Sequence, residues 1–290
     1  MKATINLQSL LVLISSIVVL FFNFLTYFKN RKSKVNLCFA IFGVSIFIWL
    51  FSFAIAYSVK DLSLKLLLFK IGYIGIISIP INFYTFVHYL LENKKTKIIL
   101  INYLIGVFFI VLNFSRNPLV VDLYKYPWGY YPKVSLSLHP FFLFYFISLF
   151  TFCLINLSIG LLNKDKFNTL RRIRIKYILI GSMFGVMGVV DNFASYKINI
   201  YPFGFIFMII YPVILTYAII KYRLMDITIA ITRSGVFVAT YSLILGIPFL
   251  VASTCRDNLV GLFGADKWWW VPMGLLTILA TAGPFIYIFI

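Results

Sequence analysis

The sequence predicts an all-α fold, a polytopic transmembrane helix bundle of about nine spans with its amino terminus outside. Three observations carry that expectation. Of the 290 residues, 62% are hydrophobic and only 12% are charged, against about half and about a quarter in soluble domains. The apolar residues fall in continuous runs of roughly twenty, enough to cross a hydrocarbon core of about 30 Å. Lysines and arginines gather between the runs and are denser in every second connection.

Backbone polar groups in lipid need internal partners, so a span is either a helix or a strand of a closed barrel. Barrel strands are shorter and alternate in character. The runs here are continuous and fall at about 7–28, 37–57, 69–91, 98–114, 139–162, 177–195, 202–221, 236–253 and 270–290. The first is too long for a signal-peptide core and lacks a clear cleavage site, so it is expected to be a retained helix.

Orientation follows from the connections. The first holds Lys29, Arg31, Lys32 and Lys34, and the third holds Lys94, Lys95 and Lys97. The fifth carries six basic residues between Lys164 and Lys176, and the seventh adds Lys221, Arg223 and Arg233. Those four connections hold 16 of the 26 basic residues, which places them in the cytoplasm. The net charge of +18 therefore reads as a set of topology signals facing anionic headgroups rather than as a nucleic-acid footprint.

Two connections have more structure than a simple loop. Residues 115–138 lie outside and concentrate Tyr124, Tyr126, Trp128, Tyr130 and Tyr131 among Pro118, Pro127 and Pro132. Residues 222–235 lie inside. There Ile227, Ile229 and Ile231 suit a strand, whereas Leu224, Ile227 and Ile231 suit a helical stripe, and the pattern does not choose.

Chemistry-bearing residues inside spans are few. Asp191 lies near the outer end of the sixth span, where Lys197 could accompany it at the surface; an intramembrane acid is costly and often functional. His88 falls near the inner end of the third span and His139 at the outer start of the fifth, so the two cannot share a metal. Asn23, Asn82, Asn102, Asn113 and Asn156 are expected to act as interhelical glue. Pro80 and Pro212 can kink their helices. Gly181, Gly185 and Gly188 put small residues on one packing face, and Gly181 to Gly185 is a GxxxG match. Cys38, Cys153 and Cys255 have no metal or disulfide spacing. Phosphate-loop, HExxH and GxSxG signatures are absent, so neither catalysis nor a cofactor is expected of this chain.

Four stretches carry a resemblance. They are Trp128-Gly129-Tyr130-Tyr131-Pro132-Lys133, the basic run from Arg171 to Tyr177, Ile200-Tyr201-Pro202-Phe203-Gly204, and the stretch from Tyr217 to Ile227 that ends in YRLMDI. In that order and at those intervals they resemble the seven-helix amino-terminal region of bacterial sensor histidine kinases, over roughly residues 7–233. The resemblance implies a membrane input module in the bacterial cytoplasmic membrane: a seven-helix sensor over 1–222, a cytoplasmic junction over 223–235, and two further helices over 236–290. It also implies signalling to a downstream kinase domain or response regulator, and homodimerisation by analogy. The phosphoacceptor and ATP-binding motifs of a kinase are absent from these residues, and the abrupt apolar end at Ile290 suggests a fragment of a longer protein.

The outer aromatic segment is the candidate for ligand contact, through Tyr126, Trp128, Tyr130 and Tyr131 together with Asp191, although aromatics also belong at membrane interfaces. Tyr222, Arg223 and Asp226 are the candidate signal junction. The competing expectation is a transporter or membrane-embedded enzyme for a small or lipid-like solute, with the aromatic segment as its mouth.

Overall fold

A computed structural model describes residues 7–93, 97–116, 118–163 and 165–208, together with 210, 211, 214, 248, 249, 251–253, 256–264, 267–277 and 280. The chain is mostly helical. Helices α1 (Leu7–Lys29), α2 (Lys34–Ser58), α3 (Leu62–Leu90) and α4 (Lys97–Asn113) are followed by strands β1 (Val120–Tyr126) and β2 (Gly129–Val134). Then come α5 (His139–Leu162) and α6 (Thr169–Val186), a 3-10 turn over Met187–Asp191, and the short α7 (Asn192–Ser195). Residues 204–208 are helical, and α8 (Arg256–Phe263) lies further on. Among the described residues, five helices are long and apolar enough to cross a membrane, and α4 is a shorter apolar helix. The signal junction Tyr222, Arg223 and Asp226 lies outside the described residues, as does most of the span expected over 236–253.

Two helices begin well before their apolar runs. The Asp61 carboxylate accepts the N–H groups of Ser63 and Leu64 and starts α3 at Leu62, seven residues ahead of the expected span. Asn168 accepts the N–H of Arg171 and starts α6 at Thr169, eight residues early. Hydropathy marks the part of a helix that lipid solvates, whereas a cap marks where helical hydrogen bonding starts. The sixth span also departs from a uniform helix, because Met187–Asp191 is wound as 3-10.

The aromatic segment corrects the all-α expectation. It forms an antiparallel hairpin in which Tyr126 pairs with Gly129, Tyr124 with Tyr131 and Val120 with Val134. Gly129 has φ 140°, a conformation that side-chain-bearing residues seldom adopt. Pro127 and Trp128 form the turn.

Helix α3 is central, touching α2, α4 and α5, while α1 packs on α2 and α6 on α5. Close approach depends on small residues. A Cβ on Gly75 would lie 2.4 Å from the Ser45 carbonyl oxygen and 2.6 Å from the Trp49 nitrogen, so α2 and α3 meet backbone to backbone. Aromatic rings fill the interior, with Phe83 stacked on Phe150 at 4.6 Å. The face of α4 turned away carries Leu100, Leu104, Phe108 and Val111, each at least 60% exposed. Such a continuous apolar stripe suits hydrocarbon and not water.

The amides divide. Asn82 accepts from the Tyr103 hydroxyl and donates to Ser45, joining α2, α3 and α4. Asn102 accepts from Tyr145, and Asn113 donates to the carbonyl of Lys70. Asn23 and Asn156 instead donate to carbonyls of their own helix. Three of the five therefore tie helices together.

At the end opposite the hairpin, basic side chains close helix termini. Lys166 donates to the Leu91 carbonyl and Arg172 to the Leu161 carbonyl, satisfying groups that a helix C-terminus leaves open. Arg171 forms a salt bridge with Glu92, and its hydrogen bond holds the Glu92 carboxyl below its ordinary value. A depressed folded pKa contributes stability that is present above the ordinary value of 4.5 and fades as pH falls through the folded value. Glu92 is 62% exposed, so Arg171→Gln should cost only about 0.5 kcal/mol. Unfolding midpoints at pH 7 and pH 3 check this: the variant should differ from the parent at pH 7 and converge on it at pH 3.

Candidate functional site

The motifs that are distant in sequence meet at the hairpin end of the bundle. Trp128 stacks on Tyr126 at 4.7 Å and meets Tyr201 edge-on at 5.6 Å. Its indole N–H donates to Asn199. The Tyr126 hydroxyl donates to the carbonyl of Ala194 at 2.6 Å. Tyr131, paired with Tyr124 and edge-on to Trp128 at 5.7 Å, is 3% exposed and packs against Phe53 and Phe69. Tyr130 lies over the Lys65 ammonium at 5.2 Å. The hairpin is thereby fastened to the end of the sixth span and to α2 and α3. Burial, then the Asp191 charge, pushes the Tyr131 phenol well above its ordinary value, so it stays neutral and can donate.

Asp191 lies inside the protein and is not accompanied by Lys197. It is 8% exposed and accepts the backbone N–H of Gly204 at 2.7 Å. Lys197 sits in a left-handed turn with φ 69° and is exposed, and no salt bridge joins the two among the described residues. A Cβ at position 204 would lie 2.7 Å from the carboxyl group, so this contact needs glycine there.

Beneath the hairpin a cavity runs between α2, α3, α5 and the sixth span. The space free of protein atoms among the residues that line it, open solvent included, is about 820 Å³. Aromatic and aliphatic side chains such as Phe42, Trp49, Phe83 and Phe150 make most of its wall. Polar groups gather toward the hairpin: Asp191, Asn192, Ser195, Tyr73 and Tyr131. Of the five expected contact residues, Tyr131 and Asp191 line this cavity. Tyr126 and Trp128 brace its cover from behind, and Tyr130 turns to Lys65. None of the five span amides lines it.

The sequence reading missed a group beside it. His139 is fully buried; its Nε2 lies 3.2 Å from the Tyr73 hydroxyl and its Nδ1 2.8 Å from that of Tyr196. A tautomeric imidazole can donate to one hydroxyl and accept from the other. The chain Tyr73–His139–Tyr196 thus links the cavity wall on α3, through the first residue of α5, to the segment after α7. A lone histidine at the start of a span carries no sequence mark of burial, and Tyr73 and Tyr196 lie 66 and 57 residues from it.

The family model described as "N-terminal 7TM region of histidine kinase" matches residues 11–228. No curated protein and no solved structure matches the chain.

Proposed function

Since the chain belongs to the family of N-terminal 7TM regions of histidine kinases, we propose that it is the sensory input region of a two-component sensor histidine kinase. In this reading residues 1–222 form the sensor module, with the amino terminus outside a bacterial cytoplasmic membrane. Residues 223–235 are the cytoplasmic junction and 236–290 complete a set of about nine spans. The region is non-catalytic: it works as a homodimer and hands a packing change through Tyr222, Arg223 and Asp226 to a kinase domain and its response regulator.

The observation that carries the reading is the meeting of the hairpin, Asp191–Gly204 and the Tyr73–His139–Tyr196 chain at one end of a single cavity. A signal acts only if it binds two arrangements of the bundle unequally. Here occupancy of the cavity bears on α2, α3, α5 and the sixth span together, and on Met208 and Tyr211 of the stretch expected to run as the seventh span into the junction.

The test uses the gene in its native reading frame beside its response regulator. Phosphorylated regulator is measured in cells carrying the parent gene, Trp128→Ala or Gly204→Ala. Both variants should shift the phosphorylated fraction at equal membrane abundance. A reading frame and neighbourhood without kinase or regulator, or a fraction that neither substitution moves, would refute the sensory reading.

A further inference from the structure

The cavity has a long axis and a charged end, which together specify a shape of ligand. On α2 its wall runs from Phe42 to Phe53, and on α3 from Tyr73 to Phe83. At about 1.5 Å of rise per residue these stretches are each about 15 Å long. Both run along the bundle, so the space is a channel about one alkyl chain in length. An extended chain of about twelve carbons, joined by bonds of about 1.5 Å, has a comparable reach.

Its two ends differ. Toward the basic end lie Phe42, Ser182 and Tyr211, whose buried hydroxyl has no hydrogen-bond partner among the described residues. Toward the hairpin lies Asp191, the one charged side chain among the described residues of the wall. Gly204 donates one hydrogen bond to Oδ1. Among the described residues no lysine or arginine shares the wall, and the salt bridge found among them is Arg171–Glu92 at the opposite end. Acids at membrane depth pair with a cation or with polar partners. Asp191 has the polar partner but no cation.

We infer that the cavity binds a single-chain amphiphile with a cationic head, its alkyl chain along the bundle and its ammonium against the Asp191 carboxylate. Ser195 and Asn192, in the same wall, supply neutral oxygen acceptors for the remaining ammonium protons. An alcohol donates one hydrogen bond to the carboxylate but brings no counter-charge, and a fatty acid places two carboxyl groups together. The inference names the class of signal for the sensory reading and rests on it only for the consequence of binding. Binding itself is measured without any kinase output, so the two can fail separately.

The probes are dodecylamine, dodecanol and dodecanoate with brominated tails, added to the full chain in nanodiscs. Bromine quenches nearby indole, and Trp49 stands in the wall, so the signal is the quenching that Trp49→Phe removes. The amine should saturate this signal at a membrane mole fraction about tenfold or more below either of the others, as a charge-assisted contact out of water implies. This comparison needs no change at position 191. Asp191→Asn keeps an oxygen for the Gly204 N–H and should erase the preference while tail binding persists. A Cβ at Gly185 meets nothing within 4 Å and Gly185 lines the cavity, so Gly185→Leu should fill the space and abolish saturable quenching by all three probes. Equal mole fractions for the three heads would mean a crevice for lipid tails and would overturn the inference. So would an amine preference that survives Asp191→Asn, or saturable binding that survives Gly185→Leu.

Discussion

Gly75→Ala will lower the stability of the bundle by about 3 kcal/mol, at the upper end of ordinary overpacking costs. The added methyl meets the Ser45 carbonyl and the Trp49 nitrogen. These are backbone atoms, so no side chain can swing aside, and α2 must move off α3. The pair makes the most extensive helix contact among the described residues, so that movement loosens the cavity wall on two sides. Gly185→Ala is the matched control. Nothing lies within 4 Å of its new methyl, and alanine is the better helix former, so it should leave stability unchanged or raise it by up to about 1 kcal/mol. Unfolding by detergent titration, followed by circular dichroism, separates the two. Similar midpoints for both variants would show that the α2–α3 contact is looser than its geometry.

The second large effect is expected at His139. His139→Leu preserves apolar bulk but removes the partner of two hydroxyls. Tyr73 is 2% exposed and keeps Ser195 as a hydrogen-bond partner, so losing the imidazole should cost about 1 kcal/mol there. Tyr196 is more open and can turn to solvent, so its loss is smaller. The damage should be local as well as global: amides at 196–198, which follow α7, should exchange hydrogen faster than those of α2. Tyr73→Phe on top of His139→Leu removes the hydroxyl that has lost its imidazole partner and should recover part of the loss. If the double variant is no more stable than the single one, the Tyr73–His139 hydrogen bond is not a source of stability.

How much of this was legible follows from what each signal measures. The spans stand out because hydrocarbon selects continuous apolar runs, and α1, α2, α4 and α5 sit where those runs lie. The starts of α3 and α6 were hidden because Asp61 and Asn168 begin helices inside polar sequence, ahead of Lys65 and Arg171. The hairpin was disguised by composition. Tyr124, Tyr126, Trp128, Tyr130 and Tyr131 suit a membrane interface and a β-ribbon equally well, and the tertiary contacts to Ala194 and Tyr201 decide for the ribbon. Tyr131 and Asp191, two of the candidate contact residues, line one cavity. Sequence could not give the burial of Asp191, since its partner is the backbone of Gly204, and a backbone amide has no letter of its own.

The 3-10 turn at Met187–Asp191 has a rotational consequence. An α-helix advances about 100° per residue, which would set Asp191 about 120° around the axis from Gly185. Winding the last stretch at about 120° per residue brings the two to within about 40°. Gly185, Gly188 and Asp191 then form a column facing the same interior space, as the cavity wall records. Relaxing those five residues to α-helical pitch would swing the carboxyl toward the lipid side. The local pitch of one turn therefore sets which way the acid of the sixth span faces.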